Sequence, residues 1–147
     1  MLAQKYTVSE PPILLVDDSP DDIMIAKRAF KKSQIHNKIF VTRDGEEAIQ
    51  FLRKEGNYKD VPTTGLVILD LNMPKIDGFE VLETIKNDEK LKKIPIIVLT
   101  SSSRYEDIER AYKLGANSFI VKPVSFEEFV EAILEIKRYW LSLSKIP

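Results

Sequence analysis

The chain contains no cysteine and a single histidine, His36, among its 147 residues. Without thiols there is no disulfide, no cysteine nucleophile and no sulfur-ligated zinc, and one imidazole is too few for a histidine-built metal centre or a catalytic triad. An excess of either charge is missing as well. Lysine plus arginine number 22 against 23 aspartate plus glutamate, a formal net charge of -1. No overall basic field is available to attract nucleic acid or an acidic membrane, so any polar function must be local. No apolar run nears the roughly 20 residues that cross a bilayer, and the opening "MLAQKYTVSEPP" has no apolar signal core. A soluble cytoplasmic protein is expected, with neither nucleic acid nor membrane as partner. Its length suits one domain with one core.

What is present is a succession of short apolar, β-branched runs: "ILLV" (Ile13 to Val16), "KIFVT" (Lys38 to Thr42), "LVILDL" (Leu66 to Leu71), "IPIIVLT" (Ile94 to Thr100) and "SFIVK" (Ser118 to Lys122). Most are continuous rather than alternating, as strands covered on both faces should be. Helical patterns lie between them. The first opens with Ser19 as N-cap and Pro20 in the first helical position, and carries Ile23, Ala26, Ala29 and Phe30 along one face. Others run from Asp44 to Glu55, Gly78 to Asn87 and Arg104 to Leu114, the last followed by Gly115 at the C-cap position, and from about Ser125 to Leu143. Five strands alternating with five helices predict right-handed βαβ crossovers, hence a doubly wound α/β domain with a five-stranded parallel sheet. "KEGNYKDVPTTG" (Lys54 to Gly65) reads as the one long loop. No repeat, linker or low-complexity segment interrupts the pattern.

The polar residues of interest sit where these strands end. Asp17 and Asp18 follow the first strand, Asp70 lies at the end of the third, Thr100 ends the fourth and Lys122 ends the fifth. In a parallel sheet those ends share one edge, outside which such folds bind ligands. Asp21 and Asp22 are different: behind the Ser19 cap they suit the positive helix end, with Asp22 placed for a capping-box-like role. Asp17, Asp18 and Asp70 would repel one another by roughly 3 kcal/mol per pair at about 5 Å and an effective dielectric near 20. They call for a cation. Hard oxygen ligands without imidazole or thiolate favour Mg²⁺ or Mn²⁺. Asp70, interrupting so much apolar strand, is the expected reactive group, since a carboxylate can take a phosphoryl group when a metal and fixed donors neutralise the charge. Lys122 supplies a mobile positive charge and Thr100 a hydroxyl.

With these residues in place, the chain resembles the receiver domain of two-component response regulators. The resemblance rests on "VDDSP" (Val16 to Pro20), "LDLNMPKIDG" (Leu69 to Gly78), "VLTSS" (Val98 to Ser102) and "LGANSFIVKPV" (Leu114 to Val124), four motifs in order. It implies a flavodoxin-like sheet of order 2-1-3-4-5, in a single receiver domain over 1–147: an N-terminal extension over 1–11, a core over 12–143 and a tail over 144–147. It implies that Asp70 accepts phosphate from a sensor histidine kinase or a small donor. Asp17, Asp18 and Asp70 would position Mg²⁺ (or Mn²⁺), with the main-chain carbonyl of Asn72 completing the shell. Lys122 would bond the phosphoryl oxygens, before a cis peptide to Pro123. Phe119 falls at the family's aromatic switch position, filling space vacated when Thr100 moves. Small Ser101 leaves the phosphoacceptor accessible, and Asn72 and Ser102 match positions that tune dephosphorylation. The "RKEGNYKDVPTTG" loop, the "NDEKLKKIPIIVLTSS" approach and the "YWLSLSKIP" ending look like the single-domain regulators that partner bacterial phytochromes. Members of that group tend to pair through helix four, strand five and helix five, where this chain carries Tyr112, Phe119, Leu134 and Leu141.

Other classes fit less well. A Mg²⁺-dependent phosphohydrolase resembling the haloacid dehalogenase family would place an aspartate two residues after its nucleophile, where this chain has Asn72, and would carry a cap domain. A flavodoxin-like cofactor binder needs a phosphate loop after the first strand, and "DDSPDD" would repel the phosphate. An unphosphorylated scaffold would normally have lost an acid, the threonine or the lysine. His36 reads as a surface residue, the lysines of "NDEKLKKI" as a solvated helix end, and Trp140 as core or interface packing.

Overall fold

The computed structural model describes residues 10–73 and 76–143, the last three by backbone alone. The strands are β1 (Ile13–Val16), β2 (Ile39–Thr42), β3 (Leu66–Leu69), β4 (Ile96–Thr100) and β5 (Ser118–Val121). All pair in parallel in the order β2-β1-β3-β4-β5. The central strands β1, β3 and β4 are buried along their whole length, which is why their sequences run continuously apolar. Side chains alternate between the faces. Leu14, Val16, Val67, Leu69, Ile96 and Val98 enter one core, and Ile13, Leu15, Leu66, Ile68, Ile97 and Leu99 the other.

Helices α1 (Pro20–Lys32) and α5 (Phe126–Ile136) cover the second face with Ile23, Ala26, Ala29, Phe30, Phe129, Ile133 and Ile136. Helices α2 (Gly45–Arg53), α3 (Gly78–Lys86) and α4 (Tyr105–Lys113) cover the first, through residues such as Phe51, Leu82, Ile85 and Ala111. Four of the five start on a side-chain cap: Ser19, Asp44, Asp77 and Ser125 each accept from the backbone N–H three residues on. Gly115 follows the α4 C-cap with φ of +110°, as the glycine was expected to. The long loop is partly ordered by a single 3₁₀ turn, Gly56–Tyr58, whose Tyr58 ring packs on Phe51 at 5.2 Å between centroids. The last helix is not α throughout: from Lys137 to Leu143 it continues as a π-helix. The 1–9 and 144–147 parts of the expected extension and tail, Pro74 and Lys75 of the second motif and the Leu141 side chain lie outside the described residues.

Two local devices hold the sheet edges. At the carboxyl edge, Gly78 lets the start of α3 approach the backbone after β3, where its N–H donates to Leu71 O at 3.0 Å. A Cβ there would meet Asp70 O and Leu71 Cα, both at 2.5 Å. At the opposite edge, Asn117 Oδ1 accepts from the Ile96 N–H at 2.9 Å and from Lys86 Nζ at 3.2 Å, while the same ammonium donates to the carbonyls of Lys92 and Ile94. Burial pushes the Lys86 pKa down. Gly78→Ala, which forces α3 off the Asp70–Leu71 backbone, is expected to cost about 1–3 kcal/mol. A lowered urea midpoint with unchanged slope checks it; an unchanged midpoint would mean the loop yields freely.

Candidate functional site at the carboxyl edge of the sheet

Strand register brings the polar strand ends together. Val16 and Leu69 are register partners, so Asp17 and Asp70 each leave the sheet at the same level, and the Asp70 N–H donates to Val16 O at 3.0 Å. Thr100 is paired with Val121, the residue before Lys122, and the Lys122 N–H donates to Thr100 O at 2.8 Å. Asp17, Thr100 and Asp70 are buried, polar groups among apolar strands. Ligand oxygens of Asp17, Asp18 and Asp70 lie within 4.8 Å of one another, Asp18 being the most open of the three.

Into this group reaches the Lys122 side chain. Its Nζ donates to Asp17 Oδ2 at 2.9 Å, to Asp70 Oδ2 at 3.3 Å and to Asp22 Oδ2 at 2.9 Å. The remaining oxygens are tied to the backbone: Asp17 Oδ1 accepts from the Ser19 N–H at 3.0 Å and Asp70 Oδ1 from the Asn72 N–H at 3.1 Å. Burial alone would push the Lys122 pKa down; hydrogen bonds to Asp17 and Asp22 and the charge of Asp70 outweigh it, and the ammonium is held well above its ordinary value. Asp17 goes the other way from a paired acid. Burial drives its pKa up, and the Ser19 N–H and Lys122 only partly offset that, with Asp70 adding repulsion. A single ammonium does not satisfy this many carboxylates.

That imbalance suits the site to a metal. Three clustered carboxylates, one of them buried and still disfavouring its charge, form an all-oxygen donor set suited to Mg²⁺ or Mn²⁺ and unsuited to a softer ion. Thr100 Oγ1 accepts from Asn72 Nδ2 at 3.3 Å, which joins the threonine to the residue two beyond Asp70. Ser101 is exposed at the end of β4. Phe119 is half-buried against the first core, two residues before Val121 and on the same face of β5. Ser102 is engaged elsewhere, its hydroxyl bonded to Asp107 Oδ2 at 2.5 Å. His36 is exposed, away from this edge.

Two expectations need correction. Asp22 is more than a helix-end charge: the Ser19 N–H that a capping box would engage is already held by Asp17, so the Asp22 carboxylate turns to Lys122 instead. An acid one turn into α1 behind a strand-end aspartate was the available signal, and the cap reading concealed it. The Lys122–Pro123 peptide is also not cis, no cis bond being found among the described residues. Lys122 reaches the carboxylates without one, and trans is the favoured X–Pro isomer by about 0.5–1 kcal/mol.

Comparison with known proteins accords with this geometry. Residues 13–134 match the response regulator receiver domain. The chain is 43% identical over 136 residues to the probable methanogenesis regulatory protein FilR2 of Methanothrix harundinacea, covering 92% of this chain and 86% of that protein. It is 38% identical over 141 residues to response regulator Rcp1 of Synechocystis sp., covering 95% and 96%; the Mn²⁺-bound crystal structure of Rcp1 superposes with a TM-score of 0.85 over 93% of this chain and 99% of that one. The phosphorylated cyanobacterial phytochrome response regulator RcpA, at 37% identity, superposes with a TM-score of 0.88 over 95% and 99%. With its 2-1-3-4-5 parallel sheet and carboxylate-rich edge, the chain belongs to the response regulator receiver domain family.

Proposed function

We propose that the chain is a stand-alone regulator of a two-component relay, a single receiver domain with its core over residues 12–143, whose Asp70 accepts a phosphoryl group from a sensor histidine kinase or a small acyl phosphate. The observation that carries this reading is the Lys122 ammonium lying between the buried carboxylates of Asp17 and Asp70. One Asp70 oxygen attacks phosphorus as the bond from phosphorus to the donor nitrogen or acyl oxygen breaks, and the electron pair leaves with the donor. Lys122 passes from carboxylate to phosphoryl oxygens as the charge moves, and Thr100 offers its hydroxyl in place of its bond to Asn72. Bound Mg²⁺ or Mn²⁺ supplies charge neutralisation, held by Asp17, Asp18, Asp70 and the main-chain carbonyl of Asn72. Small, exposed Ser101 leaves the approach to Asp70 open. Movement of Thr100 lets Phe119 swing inward, changing the β5 surface. The chemistry stays on Asp70: its acyl phosphate is later hydrolysed by water to the free carboxylate and inorganic phosphate, and no group passes on to a further small-molecule acceptor.

That surface is the one proposed to carry the signal. Around a cleft of about 350 Å³ lined by Tyr112, Phe119, Ile136 and Trp140, the faces of α4, β5 and the π-helix that continues α5 leave Tyr112, Val121 and Tyr139 exposed. Pairing of two copies there, with Leu134 contributing, buries this apolar area. A bacterial phytochrome as the sensor kinase is supported by the likeness to RcpA, a phytochrome response regulator. No described helix is long and apolar enough to cross a membrane, and a relay partner in the cytoplasm suits the reading.

Intact mass after incubation with acetyl phosphate and Mg²⁺ tests the chemistry: one phosphoryl group is expected on the wild type and none on Asp70→Asn or after chelation. Label on Asp70→Asn, or none on folded wild type, would remove Asp70 as acceptor from a small donor. Because the Asp17 pKa is raised above the ordinary aspartate value, its charge opposes folding at neutral pH, and that opposition fades as pH falls through the raised value. Metal-free Asp17→Asn is therefore expected to unfold at a higher urea concentration than wild type while binding Mn²⁺ about tenfold more weakly or worse. Wild-type Mn²⁺ affinity should fall on acidification earlier than an ordinary aspartate would dictate. A lower urea midpoint in Asp17→Asn would show that pairing with Lys122 outweighs burial. For the interface, Tyr112→Glu should shift sedimentation of the phosphorylated protein from dimer to monomer; a dimer that persists would place the contact elsewhere.

A further inference from the structure

Helix α1 brings to the site a carboxylate that the metal group does not include. The Asp22 contact with Lys122 is as short as that of Asp17, 2.9 Å, and shorter than the 3.3 Å to Asp70. These partners differ in what happens when a divalent cation arrives. Asp17 and Asp70 belong with Asp18 to the group whose oxygens converge within 4.8 Å, and a doubly charged ion competes for them more strongly than an ammonium does. Asp22 lies outside that group, anchored by its N–H on Ser19 Oγ at 3.2 Å. It is the partner that Lys122 keeps.

We propose that Asp22 is a positioning residue, holding the Lys122 ammonium on the α1 side of the metal-loaded site so that a phosphoryl group entering at Asp70 must draw the lysine away. Asp22 therefore restrains phosphorylation and sets how readily the switch is thrown. The pair is suited to such a restraint because it is breakable: the Asp22 side chain is 42% exposed while that of Lys122 is 14% exposed. It also borders a cleft of about 340 Å³ shared with Arg28, Pro123 and Phe126, so solvent reaches the pair from the α1 side. Asp21, one residue earlier and exposed, has the same charge on the same helix turn and no bond to Lys122. It separates a specific contact from a general field.

This inference rests on the reading of Asp70 as phosphoacceptor, and the experiment keeps the two apart. Labelling by acetyl phosphate is timed at Mg²⁺ concentrations shown to saturate each of wild type, Asp22→Asn and Asp21→Asn. Asp22→Asn is expected to label about 2- to 5-fold faster than wild type, the equivalent of a partly exposed ion pair, and Asp21→Asn at nearly the wild-type rate. Equal rates for the two variants overturn the proposal. In parallel, the side-chain ¹⁵N resonance of Lys122 is followed in the Mg²⁺-loaded, unphosphorylated proteins, where Asp22→Asn should shift it and Asp21→Asn should not. Should wild type take no phosphoryl group, the acceptor reading fails by itself. The resonance still decides the contact: a Lys122 signal unmoved by Asp22→Asn overturns the positioning role.

Discussion

One ammonium set among four carboxylates governs this molecule. Lys122 bonds Asp17, Asp22 and Asp70, with Asp18 alongside, and cannot neutralise them together. Burial sharpens the deficit, because Asp17 and Asp70 sit where strands leave a dry core and little water screens them. A site poised in this way suits a divalent cation. The electrostatic debt is thus the source of the function rather than a defect in packing.

The rest of the fold keeps that arrangement from relaxing. Parallel pairing places the ends of β1 and β3 side by side and joins β4 to β5 through the Thr100–Lys122 backbone bond, so the charged groups cannot drift apart without breaking the sheet. Helices on both faces bury the central strands β1, β3 and β4 completely, and Gly78 allows α3 to press against the backbone that carries Asp70. The far edge is fastened by Asn117 and Lys86. Rigidity at both ends of the strands leaves side chains, not strands, as the parts proposed to move: Lys122, Thr100 with its bond to Asn72, and half-buried Phe119.

Much of this was legible in the residues. Continuous apolar runs announced strands covered on both sides, and Ser19, Pro20 and Gly115 marked helix ends that the structure bears out. Strand-end positions were enough to assemble Asp17, Asp18, Asp70, Thr100 and Lys122 at one edge, since parallel topology dictates it. The Asp22 contact was not legible. Its partner lies 100 residues away, and its local position looked like ordinary helix capping. The change to a π-helix from Lys137 was equally hidden, because Trp140 keeps the spacing of the helix before it and remains packed on the second core.

Local sequence by itself determined the elements, their order and which residues stand at strand ends, because periodicity, capping and turn chemistry act over a few neighbours. Only the tertiary structure decided how the charges are shared. Which oxygen faces Lys122, which is held by a backbone N–H, and which carboxylate is left over depend on distances across α1, β1, β3 and β5. The physical reason is that hydrogen bonds and ion pairs are settled over a few ångströms, between groups that the chain brings together only on folding.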